Sequence, residues 1–370
     1  MTRFEIRRDQ PLKPFTTFKV GGPARFFASA ATQEDFLAAL GFAREERLEI
    51  FVLGGGSNIL VSDSGFPGLV IHPVPRGIAI DAAQPERVTL RVEAGETWDD
   101  VVSRAVEEKL WGIENLSHIP GQAGAAIVQN IGAYGQQISD VFQRATVMET
   151  GTGNVPTLSG GECGFGYRKS IFNSSAKGQF IILQIELSLA RGGRPDLRYP
   201  DVRNYFSERG IGEPSIRQVR NAIIEIRDRK FPFPREEKGG NAGSFFKNLV
   251  LSDPQFETLR TSLCRNFSTS ECDRLEEIRK HSGPGGPVKV PTAFLIEICG
   301  LKGHCEGGAR VNQTQPLVLL NDGGATARDV LALAGFVRRT VYARTGMEIS
   351  LEPEMVGFTP EELKKYLTLQ

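Results

Sequence analysis

The stretch PGQAGAAIVQNIGAYG, Pro120 to Gly135, decides the fold of this chain. Its sixteen residues carry no charge, eight of them are glycine or alanine, and Gln129 and Asn130 are embedded among them. Small residues of this kind let a backbone press against a flat or phosphorylated ligand, and glycine reaches positive φ at little cost. A close-packed helix start in a core has a similar composition, and a second glycine cluster tips the balance toward the ligand. There the apolar run Ile50 to Leu53 ends in Gly54-Gly55-Gly56-Ser57-Asn58, and Ile59-Leu60-Val61 resumes. The cluster is not the dinucleotide fingerprint, which needs glycine or alanine at Ile59, nor a Walker A loop, since no Gly-Lys-Ser/Thr follows. Its successive N–H groups suit an anion nest, with a tight hairpin as the ordinary alternative.

Outward from these clusters the chain alternates helix and strand. Arg25 to Ser29 reads as extended, and Thr32 opens a helix with Asp35 three residues on, a capping-box start. Leu69 to Ile71 and the alternating Val88, Leu90 and Val92 read as strands. Thr97 with Asp100 is expected to cap a helix carrying Val101, Val102, Ala105 and Val106. Ala145 to Met148 and Phe180 to Leu189 are strand-like, and Ser215 to Arg229 is helical until Phe231-Pro232-Phe233-Pro234 stops it. Beyond that point a helix is expected over Pro291 to Cys299 and a strand over Leu317 to Leu320. A longer helix runs from Thr326 through Val330, Ala334, Val337 and Val341 to a stop at Gly346. Segregated strands argue for an α+β fold.

A chain of 370 residues exceeds what one core usually serves, so two or three lobes are expected. Acids and bases balance at 44 each, which gives no footprint for nucleic acid or an anionic membrane. Met1 to Lys19 has no apolar signal core, and no run approaches a membrane span, so a cytoplasmic protein is expected. Five cysteines form no C-x-x-C and read as reduced, buried structural thiols. His304 and Cys305 with Cys299 lack a fourth ligand at zinc-like spacing, so no metal is expected.

Four further features carry chemistry. Gly240 to Asn248 (GNAGSFFKN) presents one hydroxyl, two carboxamides and one ammonium around two aromatic rings. Phe165-Gly166-Tyr167-Arg168 places a guanidinium after an aromatic-glycine turn, apt for a carboxylate or enolate. Leu351-Glu352-Pro353-Glu354-Met355 sets two carboxylates around a proline, and Tyr199 sits in the polar run LRYPD. Taken singly, each is matched by a bland reading: a solvated turn, a surface arginine, an edge strand, an exposed aromatic.

Taken together, LGGGSNIL (53–60), IPGQAGAAIVQNIGAYG (119–135), FGYRKSIF (165–172), GNAGSFFKN and LEPE (351–354) closely resemble the UDP-N-acetylenolpyruvoylglucosamine reductase (MurB) family, over about Phe15 to Phe358. The resemblance implies an FAD-binding domain of the vanillyl-alcohol-oxidase (PCMH) type in two lobes, 1–75 and 76–230, a C-terminal α+β substrate-binding domain at 231–358, and a tail at 359–370. The Tyr199 loop resembles the longer subtype, in which a tyrosine-bearing loop folds over the substrate. Implied further are noncovalent FAD and NADPH as co-substrate. The reaction implied is ping-pong reduction of UDP-N-acetylglucosamine enolpyruvate to UDP-N-acetylmuramate, in peptidoglycan synthesis, by a monomer. Carried over by motif, Gly54, Gly55, Gly56, Ser57, Asn58, Gly121, Gly124 and Ala125 would cradle the FAD pyrophosphate, with Gln129, Asn130 and Gly132 nearby. Arg168 and Glu354 would flank the enolpyruvyl group and Ser244 would supply a proton. Tyr134, Tyr199, Lys230, Asn248 and Gln315 match substrate-binding positions. Two residues depart from the family pattern: His118, before Ile-Pro-Gly, and Val356, where a basic residue often follows LEPE.

Two other readings remain open at this stage. A flavin oxidase of the same superfamily would use O₂, and many such oxidases anchor flavin through a histidine, of which the GGGSN loop has none. A non-catalytic nucleotide-sugar binding module would not need Arg168, Ser244 and Glu354 together.

Overall fold

The computed structural model describes residues 4–230, 239–281 and 286–369. The chain folds as two compact units. The first takes Met1–Gln10, Ala24–Gly56 and Phe66–Phe233; the second takes Pro11–Pro23, Ser57–Gly65 and Pro234–Gln370.

In the first unit two sheets share hydrophobic cores with the helices that cover them. One sheet orders its strands Ile6–Pro11, Pro23–Ala30, Phe66–Pro73 and Ile50–Val52. The last two pairings are parallel. The helix Gln33–Glu45 lays Phe36, Ala39, Leu40 and Ala43 on this sheet, and its Thr32–Asp35 capping box forms as the sequence indicates. The second sheet is antiparallel and runs through Thr157–Ser159, Phe142–Glu149, Phe180–Arg191, Arg87–Glu93 and Ile78–Asp81. Val88, Leu90 and Val92 all face inward against Val101, Val102 and Ala105 of the helix Trp98–Glu107, which is what their period-two spacing dictates. Met148 and Ile181 of the antiparallel sheet pack into the same cluster as Phe26, Phe36 and Ile71, joining the two sheets. Parallel and antiparallel sheets with helices give the expected α+β class.

The second unit is built on the helix Ala327–Thr345. Val330, Ala334, Val337 and Val341 are fully buried along it, and Gly346 ends it at φ 71°. Phe245, Phe246, Leu259, Leu263 and Leu275 complete its core, with Phe18, Val20 and Leu60 from the early part of the chain.

Several expectations change. The expected lobe 1–75 gives Pro11–Pro23 and Ser57–Gly65 to the second unit. The cause is pairing: Ile59–Val61 runs parallel with Glu354–Val356, and Thr17 Oγ1 donates to Asn241 O at 2.7 Å. Residues 359–370 are not merely a tail. Pro360–Leu367 is a helix capped by Thr359, and Leu363, Tyr366 and Leu367 pack on the second core. Thr97 precedes its helix but makes no side-chain cap; instead the first helical amide, Trp98 N, donates to Gly121 O at 3.0 Å. The helices Asp253–Asn266 and Thr269–His281 stand where the sequence reading assigns nothing. Cys264 and Cys305 are exposed rather than buried. The stop at Phe231-Pro232-Phe233-Pro234 lies outside the described residues. No helix among the described residues is long and apolar enough to cross a membrane.

Asp63 fastens the Ser57–Gly65 segment to the long helix, its two oxygens accepting from Ala327 N at 2.8 Å and Arg328 N at 3.0 Å. These are amides that no turn of the helix itself satisfies, and the carboxylate also opposes the positive end of the helix dipole. Asp63→Ala is therefore expected to lower the free energy of unfolding by about 0.5–2 kcal/mol, the usual cost of losing a cap. Urea denaturation followed by circular dichroism measures it; an unchanged midpoint refutes the anchoring role.

Candidate active site

In the first unit the two glycine clusters abut. A Cβ built on Gly55 would lie 2.6 Å from Gly121 Cα, and one on Gly54 would lie 2.7 Å from Ala125 Cβ. Gly121 is itself at φ 125°, a conformation L side chains avoid. Its loop is fixed from behind: Trp98 N donates to Gly121 O, Ala123 N to Glu96 O at 2.8 Å, and Gly124 N to Ala94 O at 2.9 Å. Gly124 packs on Ala94, where a Cβ would meet Ala94 Cβ at 2.7 Å. Among the described residues, the amides of Gly54, Gly55, Gly121 and Gln122 enter no hydrogen bond. Gln122 Nε2 donates to Pro73 O at 3.4 Å, while its Oε1 is buried without a partner. Buried polar groups are normally satisfied, so the buried, orphaned Gln122 Oε1 beside amides bonded to no described group is the signature of a site made for a ligand. Such a row suits a pyrophosphate. The residues present fit FAD on that ground.

Ser57 and Asn58 belong to the other unit. Asn58 O accepts from Glu354 N at 3.0 Å and Asn58 Nδ2 donates to Glu352 O at 3.4 Å. That residue holds the LEPE strand in place.

The rest of the cofactor-side cluster is stitched to the FGYR turn. Asn130 is buried at φ 48°; its Nδ2 donates to Gly166 O at 3.0 Å and its Oδ1 accepts from Ser139 N at 3.1 Å. Its carboxamide thus works inside the protein. Gln129 is half-buried beside it. Arg168 stands at φ 53° and donates from Nη2 to Gly132 O at 3.0 Å, while Asn173 Nδ2 holds Arg168 O at 3.2 Å. Left-handed φ at His118, Asn130, Tyr134 and Arg168 is strain of the kind that gathers at functional sites.

Tyr134, Tyr199 and Lys230 come together in the same unit. The two rings meet edge to face, centroids 5.2 Å apart, and Lys230 Nζ lies 5.6 Å from the Tyr134 centroid while pairing with Asp201. Burial pushes the Tyr134 phenol up to about 12 against the opposing Arg227 guanidinium, so its hydroxyl remains a donor at neutral pH. Tyr199 is 40% exposed and begins the helix Pro200–Ser207.

Ser244, Asn248, Gln315 and Glu354 lie in the second unit. Gly240 is forced by a close approach, since a Cβ there would sit 1.9 Å from Thr17 O. Phe245 N donates to Leu317 O at 2.7 Å, Lys247 N to Ser350 O at 2.9 Å, and Glu352 N to Phe245 O at 2.9 Å. Ser244 pairs with Val318 and Phe246 with Leu351 in isolated bridges. The segment thus runs between the strand after Gln315, whose carbonyl accepts from Val318 N at 2.9 Å, and the LEPE segment. The two phenylalanine rings anchor it at 0% exposure, and the Ser244 hydroxyl, half-buried, enters no hydrogen bond among the described residues. Asn248 has one oxygen committed: Oδ1 accepts from Thr292 N at 3.1 Å at the start of the helix Thr292–Ile298. Val356 is buried and its carbonyl accepts from Ser62 N at 2.8 Å, so it serves the core.

Sequence reasoning missed Gln122, Asp201 and Arg227. Arg227 Nε donates to His118 O at 3.0 Å and its guanidinium bonds Tyr134. Its one visible signal is its place three residues before Lys230, on the same helical face. His118, the first departure, is held by Asp99 through its amide and by Asp228 Oδ1 at 3.1 Å.

The family model of the UDP-N-acetylenolpyruvoylglucosamine reductase C-terminal domain matches residues 234–356, and that of an FAD binding domain matches residues 24–159. The UDP-N-acetylenolpyruvoylglucosamine reductase of Pseudomonas putida is 38% identical over 344 residues, 93% of this chain and 97% of that protein. That of Flavobacterium johnsoniae is 35% identical over 353 residues, 95% of this chain and 100% of that protein. The crystal structure of UDP-N-acetylenolpyruvylglucosamine reductase from Thermus caldophilus superposes with a TM-score of 0.61 at 25% identity, covering 96% of this chain and 99% of that one.

The contact of Gly55 with Gly121 allows a direct test. Gly55→Ala, which forces the loops apart, is expected to fold but to purify with much less flavin per chain. Gly41→Ala, where nothing lies within 4 Å of the new Cβ, is expected to keep wild-type content. Visible absorbance per mole of protein measures both, and full occupancy in Gly55→Ala refutes the placement.

Proposed function

The chain belongs to the UDP-N-acetylenolpyruvoylglucosamine reductase family, and on that premise we propose how its residues divide the work of the reaction. That reaction is the FAD- and NADPH-dependent reduction of UDP-N-acetylglucosamine enolpyruvate to UDP-N-acetylmuramate, a step of peptidoglycan synthesis. The observation that carries the assignment is the row of unspent amides at Gly54, Gly55, Gly121 and Gln122 beside the partnerless Gln122 Oε1. These amides, with Gly56, Gly124 and Ala125 shaping the loops, hold the FAD pyrophosphate without a covalent bond. Ser57 and Asn58 complete the motif, with Gln129, Asn130 and Gly132 shaping its neighbourhood. FAD, when bound, supplies the two-electron chemistry that carries a hydride from NADPH to C3 of the enolpyruvyl group.

The remaining work belongs to side chains. As C3 gains its new bond, negative charge develops at C2 and spreads into the adjoining carboxylate. Arg168, a permanent cation already oriented by Gly132 O, stabilises that charge where it forms. Ser244 delivers its hydroxyl proton to C2 and recovers one from solvent. A serine is a weak acid, but a carbanion-like C2 is basic enough to make the transfer favourable. Glu354, held by Asn58 O, flanks the enolpyruvyl group. Tyr134, Tyr199, Lys230, Asn248 and Gln315 bind the nucleotide sugar: Lys230 as a cation for phosphate, Tyr134 as a hydroxyl donor, and Asn248 through Nδ2, because its Oδ1 is committed to Thr292. A monomer in the cytoplasm, where nucleotide sugars are at hand, is the proposed setting.

Ser244→Ala separates the half-reactions. NADPH is expected to bleach the visible absorbance at the wild-type rate under anaerobic stopped flow, because no proton at C2 is involved. Recovery of colour with the enolpyruvyl substrate is expected to slow by about 10²–10⁴-fold, the usual cost of losing a general acid. Ser244→Cys is expected to regain part of the rate; recovery at the wild-type rate in Ser244→Ala places the acid elsewhere. Tyr199→Ala is expected to raise KM for the enolpyruvyl substrate far more than it lowers kcat, since the ring contributes binding. An equal loss in kcat and kcat/KM contradicts that role.

A further inference from the structure

Glu114–Leu116 is a single buried turn that no motif assigns to the site. Glu114 is 1% exposed and Asn115 0%. Polar groups buried so deeply must be satisfied. Glu114 Oε2 accepts from Gly112 N at 2.7 Å and its Oε1 from Gln136 Nε2 at 2.8 Å; Gln136 Oε1 accepts from Asn115 N at 2.9 Å. Burial holds the Glu114 carboxyl above the usual carboxylate range, against the pull of these donors. This closed chain fixes the turn against Gln136 and needs nothing from the Asn115 side chain.

That side chain reaches elsewhere. Asn115 Nδ2 donates to Tyr134 O at 2.8 Å and to Asp196 O at 2.9 Å, so both its hydrogens end on carbonyls distant in sequence. One carbonyl belongs to a tyrosine held at φ 48°. The other lies three residues before Tyr199, in a turn that Arg198 closes on the Asp196 carboxylate at 2.9 and 2.6 Å. Two carbonyl partners settle which end of the amide is nitrogen. Asn115 Oδ1, by contrast, is buried with no partner among the described residues, so the side chain is kept for its two donors at the expense of its acceptor.

We propose that Asn115 is a positioning residue for nucleotide-sugar recognition: by joining the carbonyls of Tyr134 and Asp196 through one amide, it sets the spacing of the Tyr134–Tyr199 ring pair. This rests on the reading of those tyrosines as substrate-binding. Asn115 touches neither cofactor nor substrate and acts only through the loop that carries Tyr199.

The experiment uses Asn115→Ala, which removes both donors, and Asn115→Asp, an isostere that sets a carboxylate oxygen against two carbonyls. Both are measured alone and combined with Tyr199→Ala in the flavin-loaded enzyme. Asn115→Ala is expected to keep its flavin and to raise KM for the enolpyruvyl nucleotide sugar roughly ten-fold, with kcat within about three-fold of wild type. The double variant is expected to be no worse than the worse single one, because both changes disable the same ring pair. Trypsin is expected to cut the Arg198–Tyr199 bond faster in Asn115→Ala. Should Asn115→Asp not fold, Asn115→Ala alone carries every readout. An unchanged KM in loaded Asn115→Ala, or effects that multiply in the double variant, overturns the inference while leaving the tyrosine assignment standing. If instead Tyr199→Ala alone leaves KM unchanged, the tyrosine reading fails, and an unchanged cleavage rate then shows that Asn115 does not hold the loop.

Discussion

One steric constraint organises the two glycine loops of the first unit: Gly55 meets the backbone of Gly121, and Gly54 meets the methyl group of Ala125. At 2.6 Å from a neighbouring Cα no side-chain carbon is accommodated without moving main chain, and main chain here is fixed on both sides. Leu53 N, just past the strand Ile50–Val52, donates to Ile71 O, and Gly121 O accepts from Trp98 N at the head of the helix Trp98–Glu107. Glycine therefore serves packing first, and the ligand gains from the consequence. Loops brought this close gather the amides of Gly54, Gly55, Gly121 and Gln122 at one place, and among the described residues none of the four is hydrogen-bonded. A preorganised donor row needs no rearrangement to meet an anion, which is where such sites gain their strength.

The second unit fixes the place of one hydroxyl, that of Ser244. Among the described residues the Ser244 hydroxyl makes no hydrogen bond; its position comes from main-chain bonds on both flanks and from two phenylalanine rings with no exposure beside it. The LEPE segment is held in turn by Asn58, the last residue of the motif that begins in the first unit. The boundary between the two units thus falls inside GGGSN, between Gly56 and Ser57.

What the sequence reveals is what is local. The Thr32–Asp35 capping box lies within four residues and forms as read, and the helix read from Thr326 opens there, on a box with Asp329. Val88, Leu90 and Val92 declare their face by alternation, and Gly346 its left-handed stop. The helix Thr269–His281 is harder to read, because charged residues crowd it; Asp253–Asn266 does carry an apolar stripe at helical spacing, Phe256, Leu259 and Leu263, which the sequence reading passed over. Thr97 shows how a tertiary contact overrides a local signal: Gly121 O takes the amide that opens its helix. The site residues Ser244, Arg168 and the glycines stand out through motifs. Asn115, Arg227 and Gln122 do not, since each acts across dozens of residues and its own neighbours in sequence look ordinary.

The most direct test is an anaerobic titration of the purified wild-type protein, read by visible absorbance. The account predicts a yellow protein whose colour is lost on addition of NADPH and returns on addition of one equivalent of UDP-N-acetylglucosamine enolpyruvate per flavin, with acid precipitation releasing all the flavin into solution. Colour that stays bleached with the enolpyruvyl substrate and returns only when O₂ is admitted would contradict it.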